Sequence, residues 1–439
     1  MWFVYNILFG IGYIFLLPHF LLRMCRRGGY RRNFQERFGR YSPEKAAAFS
    51  QSGRIWVHAV SVGEAQLALA LIAEMTALDG ALQFVVSTTT STGYTLLEQR
   101  KRRQDVLIYY PLDFPWIVAR VLRQVQPQAF VLLECELWPN LLRALAGRAV
   151  PVWVVNGRIS ARSFRGYRKV AVFFRRAAAL VTEFLVQTEE DALRLGALGA
   201  ERVQVLGSAK FDLPLPDAAA QKHACAVVRQ AGMNPTGRFW VMGSTWPGEE
   251  AGLLEVFGRL RKKCPELQAI LVPRHAERGD AVESVLQASG LPYVRRTAMG
   301  AQPAEKEAVL PPAVLLADTT GELAGYYRLA DFVFVGKSMA GNHGGQNPVE
   351  PAALGKAVVT GENMENFPGV MADLRAARAI LEVADFSELA RICEKLLLDR
   401  AYCASIGTRA AAVVASRRGV MQKSARLILG HMPKRSVDS

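Results

Sequence analysis

Short β-branched runs, each followed by a stretch rich in Ala, Leu and Arg, recur along the chain in two groups. This alternation is typical of βαβ units, in which helices join parallel strands and cover both faces of the sheet. The first group comprises residues 55–60, 84–87, 106–109, 130–133, 152–155, 184–186 and 203–206, and the second comprises 239–242, 269–272, 314–317, 332–335 and 358–360. The pattern predicts two doubly wound α/β domains.

The segment 213–236 separates the two groups and has prolines on both sides of a short helical pattern, as an interdomain linker would. We therefore predict one Rossmann-like domain over 23–212 and another over 237–439. Ligands bind at the carboxyl ends of parallel strands, so we expect the two sets of strand ends to face a central cleft. The first domain has no G-x-G-x-x-G turn, which argues against a dinucleotide-dependent dehydrogenase.

Residues 1–22 are almost entirely apolar and are predicted to form a membrane-anchor helix. The run from residue 2 to residue 22 would reach about 30 Å as a helix, enough to span a hydrocarbon core. Its positive charges follow the apolar run, whereas a cleaved signal peptide carries them in front. A helix lying in the membrane interface is the alternative, since Asn6 and Pro18 interrupt the run.

Positive charge is concentrated directly after this segment. The chain has a net charge of +15, and residues 23–40 contain seven arginines and one acidic residue. Such a flank predicts that the rest of the chain lies on the cytoplasmic side of a membrane, with the arginines on anionic lipids. No basic and aromatic module follows, which argues against nucleic-acid binding. The six cysteines stand singly, so neither a zinc site nor a disulfide framework is indicated.

Glu64 follows the first predicted strand and stands at the start of a helix. Ser61-x-x-Glu64 fits a capping box, in which the glutamate bonds back to the serine backbone N–H. The same position at a strand end would suit a catalytic base, and spacing alone leaves both interpretations open. His58 lies within the strand, where a histidine of the core is expected.

Three further loops of the first domain carry charge. Glu134 and Glu136 leave a strand end together, where unpaired carboxylates are costly, so we expect a functional role for at least one of them. The segment 158–169 contains five cations that suit a phosphorylated acceptor or form a solvated basic surface. Lys210 either stabilises a leaving phosphate or pairs with Asp212.

Loops of the second domain resemble phosphate and ribose sites. Backbone N–H groups and hydroxyls follow one predicted strand, and a guanidinium follows another. Two further turns lie at the starts of helices. The second of these helices is predicted to be capped by Asn347, with Pro348 in its first turn. The residues predicted to bind a nucleotide are Gly243, Ser244, Thr245, Pro273, Arg274, Gly321, Glu322, Leu323, Asn347, Pro348, Val349 and Glu350.

Taken together, several motifs resemble those of the Kdo (3-deoxy-D-manno-octulosonic acid) transferases of glycosyltransferase family 30. They are WVHAVSVGE at 56–64, ELWPN at 136–140, GSAKFD at 207–212, VPRH at 272–275, GEL at 321–323 and NPVEPAALGK at 347–356. The resemblance implies a GT-B fold and an inverting, metal-independent transfer of Kdo from CMP-Kdo to the lipid A precursor (lipid IVA) in lipopolysaccharide biosynthesis.

The resemblance also implies roles for single residues. Glu64 would be the general base, and Glu136 and Lys210 would stabilise the transition state. The residues of the second domain from Pro273 onwards would bind CMP, and no cofactor is implied. The nearest alternative is another membrane-associated GT-B transferase that uses a UDP-sugar and a lipid-carrier acceptor.

Overall fold

The structure, a computed structural model, describes residues 2–27, 33–49, 53–213, 215, 217–300 and 311–432, and in the first helix it describes the side chains of residues 2–15. Its strands form two parallel seven-stranded sheets. The first contains β1 (Ile55–His58), β2 (Phe84–Thr88), β3 (Val106–Tyr109), β4 (Ala129–Leu133), β5 (Val152–Gly157), β6 (Glu183–Val186) and β7 (Val203–Val205). The second contains β8 (Arg238–Thr245), β9 (Leu267–Pro273), β10 (Tyr293–Arg295), β11 (Val314–Leu316), β12 (Phe332–Val335), β13 (Ala357–Gly361) and β14 (Leu381–Val383). Two doubly wound sheets are what the sequence predicts.

Helices connect the strands. In the first half of the chain these are α1 (Trp2–Arg27), α2 (Pro43–Phe49), α3 (Val62–Leu78), α4 (Ser91–Arg100), α5 (Pro115–Val125), α6 (Pro139–Ala146), α7 (Ala161–Lys169), α8 (Ala171–Ala178) and α9 (Glu189–Ala197). They are followed by α10 (Ala218–Gln230), α11 (Glu249–Lys263), α12 (Gly279–Ser289), α13 (Leu323–Leu329), α14 (Val349–Ala353), α15 (Pro368–Ala376), α16 (Phe386–Leu398), α17 (Arg400–Arg417) and α18 (Val420–His431).

The chain divides into two compact units whose boundaries differ from the predicted ones. Unit 1 comprises the described residues up to Leu213 together with those from Gly419 onward, and unit 2 runs between them. The predicted linker 213–236 is therefore largely part of unit 2. Its helix α10 packs so closely on α13 that a Cβ at Gly325 would lie 2.6 Å from the Ala220 carbonyl oxygen. The predicted second domain, 237–439, also differs from unit 2, because its last helix, α18, belongs to unit 1.

Apolar strands buried on both faces explain why the sequence revealed most of this fold. Strands β1, β2, β3 and β4 are buried at every position, and helices cover both faces of their sheet with separate apolar cores. A parallel strand in this position reads as a continuous apolar run. Strands β10 and β14 were missed because each has three residues, lies at a sheet edge and is only partly buried.

Helix α1 is present as predicted, and one of its faces is docked on unit 1. The Tyr5 hydroxyl donates to Asp113 Oδ2 at 2.9 Å, and Asn140 Nδ2 donates to Asn6 Oδ1 at 2.6 Å. Phe9 meets Phe114 edge to face, with the ring centroids 5.0 Å apart. These contacts hold the first half of α1 against the protein, unlike the bilayer-spanning placement considered above.

The opposite face of α1 is apolar and open. Phe3 is 75% exposed, Ile14 is 68% exposed and Phe15 is 79% exposed. None of the helices in the described ranges has both the length and the apolar stretch that crossing a membrane requires.

The arginines that follow α1 do not all face outward. Arg37 is buried, and its guanidinium donates to the Thr89 carbonyl oxygen at 2.6 Å and lies over the Tyr109 ring. It therefore has a role inside unit 1 and does not meet lipid headgroups as predicted, whereas Arg40 is exposed. The predictions for the side chains of Arg23, Arg26, Arg27, Arg31 and Arg32 lie outside the described residues.

The packing of α18 in unit 1 can be tested with the variant Ile428→Ala. Ile428 is fully buried in a core cluster of unit 1, so its truncation should lower the free energy of unfolding by roughly 2–5 kcal/mol. Hydrogen exchange should then accelerate in α3 and β1 while the core of unit 2 is unaffected. Leu398→Ala, at a residue 66% exposed, is the control and should change stability by less than about 0.5 kcal/mol. Equal effects of the two variants would contradict this assignment of α18.

Candidate active site

The central strands of unit 1 bring the candidate catalytic residues together. The strand order is β3-β2-β1-β4-β5-β6-β7, so the order reverses between β1 and β4, which pair directly. Connections on the two sides of such a point leave in opposite directions and open a crevice at the carboxyl ends of the strands. Glu64 follows β1, and Glu134 and Glu136 follow β4. The structure therefore places all three predicted carboxylates at this crevice.

Glu64 forms the predicted capping box at the start of α3. The Ser61 side chain accepts from the Glu64 backbone N–H at 3.3 Å, and Glu64 Oε1 accepts from the Ser61 N–H at 3.2 Å. Its second oxygen accepts from the Val60 N–H at 2.9 Å. Burial, followed by the negative charge of Glu134, nevertheless raises the pKa of Glu64 to about 7 against these bonds. A cap with this pKa also has the proton affinity that a general base needs near neutral pH.

The three carboxylates share one small pocket. A cavity of about 190 Å³ is lined by Glu64, Glu134, Glu136, Arg158 and Tyr167 among others. Loss of solvent contact, followed by the charge of Glu134, raises the pKa of Glu136. The backbone of Glu134 has φ 59°, a left-handed conformation that few residues other than glycine adopt. The chain thus holds like charges and an unfavourable backbone conformation at the same place, as expected at a functional site.

Lys210 is electrostatically coupled to this carboxylate cluster from the end of β7. It lies in a short 3-10 turn, Ala209–Asp212, and the turn is held by Asn156, whose side-chain oxygen accepts from the Ala209 N–H at 3.0 Å. Burial, with help from the positive charge of Arg158, lowers the pKa of Lys210 to about 8, although Glu134 and Glu64 oppose this. A lysine with this pKa is still largely protonated at neutral pH.

Asp212 and His58 have structural roles. Asp212 accepts from the backbone N–H groups of Gly419 and Met421, each at 2.6 Å, and so fixes the start of α18. His58 is completely buried, stacks on Tyr110 at 3.8 Å between ring centroids and has its pKa lowered to about 3 by burial. The expectation of a histidine of the core is confirmed.

Unit 2 has a crevice of the same kind between β8 and β12. Its strand order, β10-β11-β9-β8-β12-β13-β14, reverses at that pair. Gly243, Ser244 and Thr245 lie within the end of β8, one turn earlier than the predicted helix start, because the strand continues through an irregularity with Ser244 at φ 55°. Arg274 lies beside them, exposed, directly after β9 ends at Pro273.

Sequence analysis missed Glu249, the carboxylate that organises this crevice. It is fully buried at the start of α11 and accepts from the backbone N–H groups of Trp246, Lys337, Ser338 and Met339 at 2.8–3.1 Å. Burial raises its pKa, and these four bonds oppose the rise. The available signal is the acidic pair after Pro-Gly at 247–250, a pattern that an ordinary helix start also explains.

Glu322 takes part in a network inside unit 2. It precedes α13, as predicted, and accepts from His223 at 2.8 Å, Arg296 at 3.2 Å and Tyr326 at 2.9 Å, and also from Thr319. Burial would raise its pKa, but these hydrogen bonds prevail and lower it to about 2. Glu322 therefore stays ionised and holds α10 to the loop before α13. Gly321 supplies the turn with φ 92°.

The predicted segment 347–350 opens α14, with one correction. The helix begins at Val349, so Pro348 occupies the capping position, and the Asn347 side chain accepts from the Val349 N–H at 3.1 Å. Asn347 Nδ2 also donates to Glu350 Oε1 at 3.3 Å. Burial raises the pKa of Glu350, and this hydrogen bond opposes the rise.

Within the described part of the chain, no cluster of three His, Cys, Asp or Glu side chains has the arrangement that a metal ion would need. Metal independence stays a prediction.

Glu249→Gln tests whether this carboxylate holds the loop after β12. The amide would turn a donor toward backbone donors, so at least one buried N–H would lose its acceptor. We expect the free energy of unfolding to fall by about 1–3 kcal/mol and hydrogen exchange at residues 337–339 to accelerate. Glu255→Gln, at an exposed position of the same helix, is the matched control. Unchanged exchange at 337–339 would contradict this role.

Comparison with known proteins identifies the family to which this chain belongs. The family model described as 3-deoxy-D-manno-octulosonic-acid transferase matches residues 32–213. The chain is 35% identical over 412 residues to the 3-deoxy-D-manno-octulosonic acid transferase of Bordetella pertussis, covering 92% of each chain. It is 31% identical over 408 residues to that of Haemophilus influenzae, again covering 92% of each.

Solved structures support the fold. The UDP-GlcNAc 2-epimerase of Neisseria meningitidis matches with a TM-score of 0.56 at 13% identity, covering 86% of this chain and 98% of that one. At this identity the match bears on the fold alone, which is GT-B as predicted. The extended similarity to the curated transferases is what assigns the activity class: the chain belongs to the 3-deoxy-D-manno-octulosonic acid transferase family and is a glycosyltransferase.

Proposed function

We propose that this protein transfers Kdo from CMP-Kdo to the lipid A precursor in lipopolysaccharide biosynthesis, with inversion, and that Glu64 is the general base. The observation that carries the proposal is the carboxylate at the crevice of unit 1 whose pKa is raised to about 7. Such a group can take a proton from an acceptor hydroxyl near neutral pH. Family membership supports the choice of the transferred sugar.

The other charged groups of the crevice fit roles in the transition state. Transfer leaves negative charge on the departing CMP phosphate and positive charge on the sugar. Lys210, protonated below about pH 8, would stabilise the former, and Glu136 would stabilise the latter. Glu136 stands beside Glu64 in the same cavity. With both roles supplied by side chains, this mechanism has no step that calls for a metal.

Unit 2 supplies the groups that would bind the donor. Ser244, Thr245 and Arg274 lie at neighbouring strand ends, where backbone N–H groups and a guanidinium suit a phosphate. Asn347 and Glu350 lie at the start of α14, where the Glu350 carboxylate would accept from ribose hydroxyls and the Asn347 amide could donate to or accept from the nucleotide. Glu322 would contribute by fixing the loop before α13, because its carboxylate is already engaged by four neighbouring side chains.

The open apolar face of α1 supports a location at the membrane surface. With its other face docked on unit 1, α1 would lie in the interface of the cytoplasmic leaflet of the inner membrane. Arg40 and the exposed cations of α7, among them Arg165 and Arg168, would meet anionic headgroups or the phosphates of the acceptor.

The variant Glu64→Gln distinguishes the proposed role of Glu64 as a general base from its role as a helix cap. We expect at least about a 100-fold loss of kcat because the amide cannot accept the proton, while the affinity for CMP is retained. Kdo transfer to a tetra-acylated lipid A precursor would be followed by mass spectrometry. The variant also leaves one backbone N–H without its acceptor, so its folding is checked by thermal unfolding. Glu74→Gln, on the same helix, is the control, and wild-type turnover by a folded Glu64→Gln enzyme would leave Glu64 as a cap alone.

The pH dependence follows from the two shifted groups. Glu64 must be ionised to act, so kcat/KM should rise with pH through about 7. Lys210 must be protonated, so kcat/KM should fall as the pH passes about 8. Lys210→Arg should move the alkaline limb to higher pH because a guanidinium keeps its proton. An alkaline limb that stays in place in this variant would contradict the role of Lys210.

A further inference from the structure

A second and larger cavity of unit 1 lies next to the carboxylate pocket. It has a volume of about 520 Å³, between α1, the loop after β4 and α8. Its apolar wall includes Leu8, Trp138, Val170, Phe173 and Ala177. Leu8 is 62% exposed and Val170 is 49% exposed, so large apolar groups stand open to solvent here. Contiguous exposed apolar surface of this kind marks a binding site.

The two cavities adjoin at Glu136 and Tyr167, which line both. These two side chains are the polar end of an otherwise apolar space. A ligand whose reacting hydroxyl lay near Glu64 could therefore pass Glu136 and leave an apolar part in the larger cavity. Exposed cations of α7, among them Arg165 and Arg168, flank Tyr167 in sequence and so belong to this same region of unit 1. Apolar volume beside cations suits a molecule with both acyl chains and anionic groups.

The wall that α1 contributes is held in place. The Tyr5 hydroxyl is bonded to Asp113, and Phe9 packs against both Phe114 and Trp138, with ring centroids 5.0 and 6.3 Å apart. Asp113 in turn accepts from the backbone N–H groups of Asn140 and Leu141 at the start of α6. One buried carboxylate thus joins α1 to the segment that carries Glu136 and Trp138. These contacts within unit 1 fix the wall of the cavity that α1 forms.

We propose that this cavity, the acyl pocket, takes one fatty-acyl chain of the acceptor lipid while the sugar hydroxyl lies near Glu64. The inference rests on the proposed function and extends it, because it makes acylation a condition for efficient transfer. Each methylene buried in the pocket should strengthen acceptor binding roughly fourfold. An acceptor without acyl chains therefore loses affinity, whereas donor binding by unit 2 is untouched.

The test compares two acceptors and two tryptophan variants. The acceptors are the tetra-acylated precursor and the same phosphorylated disaccharide with all acyl chains removed, assayed in one detergent. Val170→Trp fills the mouth of the acyl pocket at a half-exposed position. Val172→Trp adds the same ring two residues away, at a position 66% exposed that does not line the pocket.

In the wild type, kcat/KM for the acylated acceptor should exceed that for the deacylated one by at least about 100-fold, mainly through KM. Val170→Trp should reduce this ratio at least tenfold, and Val172→Trp should preserve it. Equal values for the two acceptors in the wild type would overturn the proposal while leaving Kdo transfer intact. A loss of the ratio in both variants would also overturn it, because a general effect on the membrane-facing surface would then explain the preference.

A binding measurement keeps the acyl pocket testable if the proposed function fails. If no acceptor receives Kdo, the proposed function is wrong, and the pocket is then judged with the fluorescent fatty acid cis-parinaric acid. The wild type and Val172→Trp should bind this probe, and Val170→Trp should bind it at least tenfold more weakly. Equal binding by all three proteins would overturn the acyl pocket.

Discussion

The parallel arrangement of the strands is the constraint on which both candidate sites depend. In each unit the first strand of the sheet lies at the centre, and its neighbour on one side belongs to the second half of that sheet. The connections diverge there and leave a crevice at the carboxyl ends of the strands. The strands that lead to this point are mostly apolar and buried, and the charged groups follow their carboxyl ends. In unit 1 the crevice holds carboxylates to which Lys210 is electrostatically coupled, and in unit 2 it holds backbone donors organised by Glu249.

In the proposed mechanism, Glu64 would serve the fold and the chemistry together. Its oxygens cap the first turn of α3, and these bonds orient the carboxylate. Burial and the neighbouring carboxylates raise its pKa above that of an ordinary glutamate. The capping bonds favour the ionised form, whereas burial and Glu134 disfavour it more strongly. The balance leaves the pKa near neutrality. A base that is held by backbone bonds needs no further side chain to position it.

Much of this could be predicted from the sequence, because buried parallel strands are continuous apolar runs and their following loops are short. The edges of the sheets could not be predicted in this way, since β10 and β14 are short and partly exposed. Glu249 escaped notice because a glutamate at a helix start has an adequate local explanation, and its partners at 337–339 are far away in sequence. The place of α18 was missed for a similar reason. Its partner helix, α3, lies more than 300 residues earlier in the chain.

That long-range pairing has a consequence for how the protein is made. Unit 1 contains both ends of the described chain, and unit 2 is inserted between them. During synthesis, all of unit 2 is made before α18 and emerges from the ribosome ahead of it, so unit 2 can complete its core first. Until then the face of α3 that α18 covers, and the Asp212 carboxylate that caps α18, lack their partners. Unit 1 is therefore finished last, and a nascent chain that stops short of α18 carries an exposed apolar surface for chaperones and proteases to recognise.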